Sequence, residues 1–460
     1  MKKFDLIIIG GGAGAPLARA AAKEGLKTAI IEKDKLGGTC LNRGCIPSKM
    51  LIHPADVALE MKEASSYFLE PVKKPKVNFA KLVSFITKTT DSDSASIHKT
   101  YESKSIKNLT FYHDKARFVS DKVLEVSGEK ISAETIVIAV GSRPFIPNIE
   151  GLDGTAYMTS TQALRRKTLP KTLLIIGGGY IGVELGHAYG SLGSETHFLV
   201  RDSLLSRVDK ETREEFSRVF AKHHRVHFKT ETRKVSYDKK KKLFTVEYLQ
   251  DKKKKVLVGD ALLVAVGTQM STDDLGLENT NIKLDSRGAV DVNMYLESSV
   301  KGVYALGDCA GNYMFRHSAN FEAEYLMDQL VFKKKRARIS YPPIPFSVFT
   351  SPQVAGVGKT EEELLSEGIS YIKGLNKYEN SAMGMALRSD SGFVKVLFDR
   401  KSKKLLGAHI VGPEASNMIH MLILAMNMGA KVDDLQAMVY VHPALPEIVR
   451  NAVNKAWQQF

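Results

Sequence analysis

Cysteine is scarce in this chain, with only three among 460 residues. That excludes a small disulfide-stapled scaffold, whose framework needs many cysteines. Long apolar runs are also missing, and none reaches the roughly 18 residues of a membrane-spanning helix. The opening "MKKFDLIIIGGGAGA" imitates an export signal for a few residues. Its apolar run is only Leu6 to Ile9 and glycines follow at once, so a first β-strand is expected instead. With no export signal visible, the expected compartment is the cytoplasm, and no membrane partner is expected. In a reducing compartment a structural disulfide would be unusual, and a cysteine pair there is more often catalytic or metal-binding. Two of the three cysteines, Cys40 and Cys45, lie five positions apart in "GGTCLNRGCIPSK". A zinc site built on them would need a second cysteine pair, which the chain lacks.

Hydrophobic residues make up 43% and charged residues 25%, the balance of a globular protein, and the length suggests about three domains. The net charge of +15 raises the question of nucleic acid or an acidic surface. The lysine runs answer it. Lys239–Lys242 and Lys252–Lys255 fall where hairpin turns belong, next to the strand-like "LFTVEYLQ" and "VLV". Lys333–Arg336 follows a helical stretch. None of these runs carries interleaved aromatics on which bases could stack, so a solvated basic surface is expected and no nucleic-acid partner.

Two segments repeat one pattern. "FDLIIIGGGAGAPLARAAAKEGLKTAIIEK" (4–33) and "KTLLIIGGGYIGVELGHAYGSLGSETHFLVR" (171–201) each read as apolar strand, glycine turn, small-residue helix and second strand, a βαβ unit. Gly10, Gly12 and Ala15 fit the dinucleotide fingerprint in the first copy, and Gly177, Gly179 and Gly182 in the second. The first glycine permits the turn, the second lets backbone approach a pyrophosphate, and the small third residue allows close helix–strand packing. Glu32, twenty residues after Gly12, can accept hydrogen bonds from a ribose diol. The second copy has Val200 at that place, then Arg201 and Arg207. Guanidinium groups suit a 2′-phosphate that a carboxylate would repel. The first site therefore suits a nucleotide with a free ribose and the second suits NADPH.

"TIVIAVGSRPFIP" (135–147) and "ALLVAVGT" (261–268) end strands in glycine turns that close the two nucleotide domains. In "GVYALGDCAG" (302–311), Asp308 stands where it can accept hydrogen bonds from a polyol chain, while Cys309 reads as a small buried hydrophobe. From about Ser340, "PFSVFTSPQVAGVG", "GFVKVLFDRKSKKLLGAHIVG" and a helix around Ala415–Met428 indicate an antiparallel sheet with helices, a third domain.

These motifs, with "HPALPE" near the end, resemble the pyridine nucleotide-disulfide oxidoreductases of the glutathione reductase and dihydrolipoamide dehydrogenase type over essentially the whole chain. The resemblance implies an α/β fold with two Rossmann-like dinucleotide-binding domains, for FAD and NADPH, and a C-terminal α+β dimerisation domain. The implied boundaries are 1–148 and 271–339 for the FAD domain, 149–270 for the nicotinamide nucleotide and 340–460 for the interface. The FAD site would comprise Gly10, Gly12, Gly14 and Ala15, then Glu32 and Lys33. Gly38, Thr39 and Lys49 would contribute from the cysteine stretch, with Ala116, Gly141, Ser142 and Asp308 from further on. The NADPH site would comprise Gly177, Gly179, Tyr180, Gly182, Glu184, Arg201, Arg207 and Gly267, with Tyr180 resembling an aromatic gate.

By the same resemblance Cys40 and Cys45 form a redox-active disulfide, with Cys45 on the flavin side and Cys40 attacking substrate. A helix N-terminus and a nearby cation stabilise a thiolate, and Cys45 precedes a helical "IPSKMLI" holding Pro47 in its first turn and Lys49 one turn on. Glu184 would pair with Lys49. His442, oriented by Glu447, would be the acid–base group, supplied by the partner subunit of a homodimer.

Within the family, the absence of cysteine after Cys309 argues against members with a C-terminal redox or metal-binding pair. "YMFRHSANFEAE" and "VHPALPEIV" look most like mycothione reductase. The expected activity is NADPH-dependent reduction of a small-molecule disulfide, with a dihydrolipoamide dehydrogenase using NAD as the alternative and a basic nucleic-acid-associated flavoprotein as a more distant one. The sequence departs from the family in "GTQMSTDDL" after Val266, in Arg43 between the cysteines, and in His53–Pro54, which is expected to interrupt or kink the following helix.

Overall fold

The computed structural model describes residues 1–70, 76–103 and 105–460. The chain divides into two compact units. The first comprises Met1–Ser48, Val83–Phe145 and Gly267–Ser340, and the second comprises Lys49–Leu82, Ile146–Val266 and Tyr341–Phe460.

In the first unit, strand β1 (Lys2–Ile9), helix α1 (Ala15–Lys23) and strand β2 (Thr28–Ile31) form the expected βαβ unit, with the strands parallel and Ile7 opposite Ala29. On its other side β1 pairs in parallel with Glu129–Ile138, placing Ile7 opposite Ile136. Leu109–Tyr112 lies beyond β2, Val303–Ala305 joins Glu129–Ile138, and two short antiparallel strands complete a seven-stranded sheet. Ile7, Phe118, Leu124, Ile131, Ile136 and Val303 are fully buried in its core. Each such side chain contributes about 1.5–3 kcal/mol relative to exposure, which explains why "FDLIII" reads as a near-continuous apolar run.

"GTQMSTDDL" belongs to this unit as well. Its strand Thr268–Met270 pairs with Ser142–Pro144, and its Asp273 forms an ion pair with Arg143.

The second unit contains the second βαβ unit: strand Thr172–Ile176, helix Tyr180–Leu192 and strand Glu195–Leu199. Arg225–His227 and Ala261–Val264 flank these strands in a four-stranded parallel sheet. A three-stranded antiparallel meander follows, Thr230–Asp238, Leu243–Gln250 and Lys253–Gly259. The run Lys239–Lys242 fills its first turn as expected. The run Lys252–Lys255 does not stay in the second: Lys253–Lys255 lie in the edge strand itself. Charged side chains on an edge are tolerated because one face is open to water, and they discourage pairing with another chain.

The C-terminal part of this unit is a five-stranded antiparallel sheet, Phe346–Val348, Val354–Gly358, Leu405–Val411, Phe393–Asp399 and Tyr371–Lys377, in that order. Helices Ala415–Asn427 and Pro446–Trp457 cover it. At Gly374 a Cβ would meet the Ala452 carbonyl oxygen at 2.0 Å, so glycine lets the last helix lie directly on the sheet. Lys395 on this sheet is 0% exposed and inserts between Asp209 (2.6 Å), Glu211 (2.9 Å) and Glu361 (3.0 Å). Asp209 also caps helix Lys210–Phe220, accepting from the Thr212 amide. No helix among the described residues is long and apolar enough to cross a membrane.

Candidate functional site

The cysteine stretch folds as two consecutive helices, α2 (Gly38–Arg43) and α3 (Cys45–Lys62), separated by Gly44. Gly37 and Gly38 have φ of 98° and 63°, a left-handed path that bulkier residues resist. The Asn42 amide holds this turn by donating to the carbonyls of Lys35, Leu36 and Gly38. Ser94 Oγ adds a 2.6 Å bond to Leu36 O. Cys40 is half-buried on α2 and Cys45 exposed at the first position of α3, where the helix dipole favours a thiolate. Pro47 occupies the first turn as expected. Arg43 neither points free to solvent nor adds an uncompensated positive potential, because it pairs with Asp34 at 2.5 Å. Partial burial opposes ionisation of Asp34, yet the Arg43 guanidinium outweighs it and lowers the carboxyl pKa. His53–Pro54 does not interrupt α3, which continues through Pro54 to Lys62.

Residues 49–62 of α3 run against helix Tyr180–Leu192 through three polar contacts. Lys49 Nζ meets both oxygens of Glu184, at 2.9 and 2.7 Å. Asp56 Oδ1 lies 2.6 Å from His187 Nε2, and Lys62 Nζ donates to the Ser191 carbonyl. Glu184 is nearly buried, and it also accepts from the Phe349 amide at 3.0 Å. The Lys49 ammonium sits 4.3 Å above the Phe349 ring. The expected Lys49–Glu184 pair is therefore present.

The two glycine turns are built alike. A Cβ on Gly10 would lie 2.3 Å from Ala139 O, and one on Gly177 would lie 2.3 Å from Ala265 O, with φ of 115° and 116°. Only glycine fits either place. Close helix packing falls on Gly182 in the second copy, where a Cβ would meet Gly177 O at 2.9 Å. In the first copy that demand falls on Gly14, whose Cβ would reach Ile8 Cγ2 at 2.7 Å, while Ala15 carries a Cβ without difficulty. The turns diverge at the end of the second strand. Glu32 accepts from Gly11 N (2.7 Å) and Asp34 N (2.8 Å). Its counterpart Val200 is buried, with its methyls 3.1 Å from a Cβ position on Gly178. Arg201 is 88% exposed beside Asp202, and Arg207 is exposed as well. Tyr180 opens the following helix and stacks on Phe346 with ring centres 5.8 Å apart; burial pushes its phenol pKa to about 12.

Around the first turn, Gly38 faces Gly12, for a Cβ on Gly38 would lie 2.8 Å from Gly12 Cα. Thr39 is exposed on α2, and Lys33 is exposed in an ion pair with Asp274 at 3.2 Å. Ala116 is buried, and Gly141 has φ of 67°. Ser142 Oγ donates to Asp308 Oδ2 at 2.5 Å, and burial raises the Asp308 pKa. Cys309 is fully enclosed, its thiol directed at the carbonyls of Ile138 and Leu306 and its pKa pushed by burial to about 12. Gly267 (φ 135°) accepts from the Phe145 amide.

His442 and Glu447 meet at the start of the last helix, His442 Nδ1 lying 3.0 and 3.1 Å from the two carboxylate oxygens. Glu447 is 3% exposed at its side chain, whereas His442 is 70% exposed. Arg450 Nη2 and the Ala444 amide also bind the carboxylate, at 2.9 and 3.1 Å. The hydrogen bonds from His442 and Ala444, with the Arg450 charge, lower the Glu447 pKa. The pair opens on a cavity of about 340 Å³ shared with Ser381, Met385 and Asn451.

Family comparison matches residues 4–323 to the pyridine nucleotide-disulphide oxidoreductase domain and residues 344–453 to the dimerisation domain of the same enzymes. The chain belongs to the pyridine nucleotide-disulphide oxidoreductases. It is 35% identical to a dihydrolipoyl dehydrogenase of Thermus scotoductus, covering 100% of this chain and 98% of that one. It is 33% identical to mycothione reductase of Mycobacterium tuberculosis, covering 98% and 99%. The solved structure of the HOCl-induced flavoprotein disulfide reductase RclA from Escherichia coli superposes with a TM-score of 0.85 at 27% identity, over 99% of both chains.

Members of this family are FAD-dependent disulfide oxidoreductases that use NAD(P)H, and this chain is one of them. Its first βαβ unit fits FAD on its own terms. Gly10, Gly12 and Gly38 keep side chains away from the turn, and Asp308 presents a half-buried carboxylate held by a single hydroxyl. Sequence reading missed the Asp34–Arg43 pair, Phe349 beneath Lys49, and Arg450 on Glu447. Only the last left a local signal, the i,i+3 spacing of Glu447 and Arg450 on one helix.

Proposed function

We propose that the protein is an NADPH-dependent reductase of a small-molecule disulfide, acting in the cytoplasm as a homodimer whose active sites are shared between chains. Residues 1–148 and 271–339 would hold FAD, 149–270 the nicotinamide nucleotide, and 340–460 the dimer contact. Gly10, Gly12, Glu32 and Asp308 would hold FAD, which would supply a two-electron relay from NADPH to the Cys40–Cys45 disulfide. Cys45, at the head of α3, then serves as the flavin-side thiolate. Cys40 attacks the substrate disulfide, forming one S–S bond and breaking another. Protonated His442 gives its proton to the departing thiolate. Attack by Cys45 on the mixed disulfide restores the cysteine bridge and releases the second thiol. Glu447 holds the imidazole by Nδ1, which leaves Nε2 for the substrate.

One observation carries the cofactor choice. Where the first βαβ unit has Glu32 on Gly11, the second has Val200 packed on Gly178, with two exposed arginines beside it. Comparing kcat/KM for the two nucleotides tests it. NADPH is expected to be favoured by about tenfold or more, since guanidinium–phosphate bonds are among the stronger ones. Neutralising Arg201 and Arg207 together should remove most of that preference. A preference for NADH that survives the double substitution would refute the choice. The second reading, an NAD-linked dihydrolipoyl dehydrogenase, is favoured by the identity of 35% to an enzyme of that name. A panel of oxidised thiols with NADPH, run beside dihydrolipoamide with NAD, separates the two.

A further inference from the structure

The two fingerprint turns differ in what faces their second glycine. Around Gly179 the space a Cβ would enter is open. At Gly12 the same point lies 3.6 Å from Gly38 Cα and 3.7 Å from Nη1 of Arg316. Arg316 is the first residue of helix Arg316–Leu330, and it is half-buried. Among the described residues its guanidinium has no carboxylate partner and no hydrogen bond, whereas Arg43, Arg143 and Arg450 are all paired.

Its position is electrostatically unfavourable. The first turn of a helix favours anions and disfavours cations, and this helix carries no acidic residue there to offset the charge. A half-buried arginine at such a place gains by taking an anion from elsewhere. The surface it touches is the glycine turn that brings backbone close to a dinucleotide pyrophosphate.

We propose that Arg316 is a binding residue for the flavin cofactor, closing over the first glycine turn and donating to the pyrophosphate opposite the backbone amides. The guanidinium fork matches two phosphate oxygens, and the negative charge relieves the cation at the helix start. The first site would then hold its dinucleotide from two sides, backbone on one and Arg316 on the other. The second site has no counterpart at Gly179.

The test is FAD affinity of deflavinated protein, followed by flavin fluorescence and by recovery of flavin absorbance, with Arg316→Met and Arg316→Lys beside wild type. Arg316→Met should weaken FAD by roughly tenfold or more, the scale of one lost charge-assisted hydrogen bond. Arg316→Lys should recover part of the loss. The dependence of affinity on salt should also be shallower in Arg316→Met. Arg316→Gln, closer in shape, gives the same reading if the methionine variant fails to fold. A loss of less than about threefold in a folded neutral variant, or an unchanged salt dependence, would overturn the proposal. The inference rests on FAD occupying the first site. If wild-type protein takes up no FAD, that assignment fails, and it fails without reference to Arg316.

Discussion

The surroundings of Cys309, His442 and Glu447 each make a separate prediction about the proposed sulfur chemistry. Cys309 is enclosed and its thiol pKa is raised to about 12, so it is not a nucleophile near neutral pH. After reduction and brief alkylation, mass spectrometry should find label on Cys40 and Cys45 and none on Cys309. His442 is exposed at the cavity mouth, and the carboxylate behind it is held by an arginine and an amide as well. His442→Ala should lower disulfide turnover by about 10²–10⁴-fold, the usual range for a positioned acid–base group. It should leave anaerobic reduction of the flavin by NADPH intact, which stopped-flow absorbance would show. Glu447 has its pKa lowered by its partners, so it stays ionised to more acidic pH than a free glutamate. Glu447→Gln replaces a carboxylate that holds His442 Nδ1 at 3.0 and 3.1 Å and should lower disulfide turnover while leaving flavin reduction by NADPH intact.

At the scale of elements, what could be read from sequence was whatever repeats locally. The strand–turn–helix–strand pattern is carried by contiguous residues, and both copies form as expected. So does the antiparallel sheet, whose strand "GFVKVLFD" has the apolar residues a covered sheet requires. The fate of Lys395 in that same strand was not legible. It reads as an ordinary lysine between two valine-rich positions, but it is fully buried among Asp209, Glu211 and Glu361, all distant in sequence. Pro54 misled for the converse reason: a local rule predicts a break, while the packing of α3 along helix Tyr180–Leu192 sustains the helix.

The buried cluster makes its own prediction. Burial opposes ionisation of Asp209, but His409 and Lys395 outweigh it and its pKa falls below the ordinary value; Glu361 is lowered too. Carboxylates with depressed folded-state pKa values contribute stability above their unfolded pKa near 4 and lose it as pH falls through the folded value. Thermal unfolding should thus occur at lower temperature as pH drops from about 5 toward 3. Lys395→Met leaves Asp209 buried without its cation and should cost about 3–5 kcal/mol in chemical denaturation. It should also flatten that acid dependence.

At the scale of the molecule, the composition limited the possibilities less than the order of the motifs did. A charge of +15 is compatible with many partners, and the structure spreads the lysine runs over a hairpin turn, an edge strand and a connecting segment. Two glycine turns and a cysteine pair fall within the matched span 4–323, and the C-terminal histidine falls within 344–453. In the proposed cycle electrons from NADPH reach substrate only through the Cys40–Cys45 pair. Its most direct test is an anaerobic titration of the oxidised protein with NADPH, followed by alkylation and thiol counting. Both Cys40 and Cys45 should become alkylatable as NADPH is consumed, and Cys45→Ser protein should reduce its flavin without exposing a new thiol. Complete flavin reduction in wild-type protein with both cysteines still bridged would contradict it.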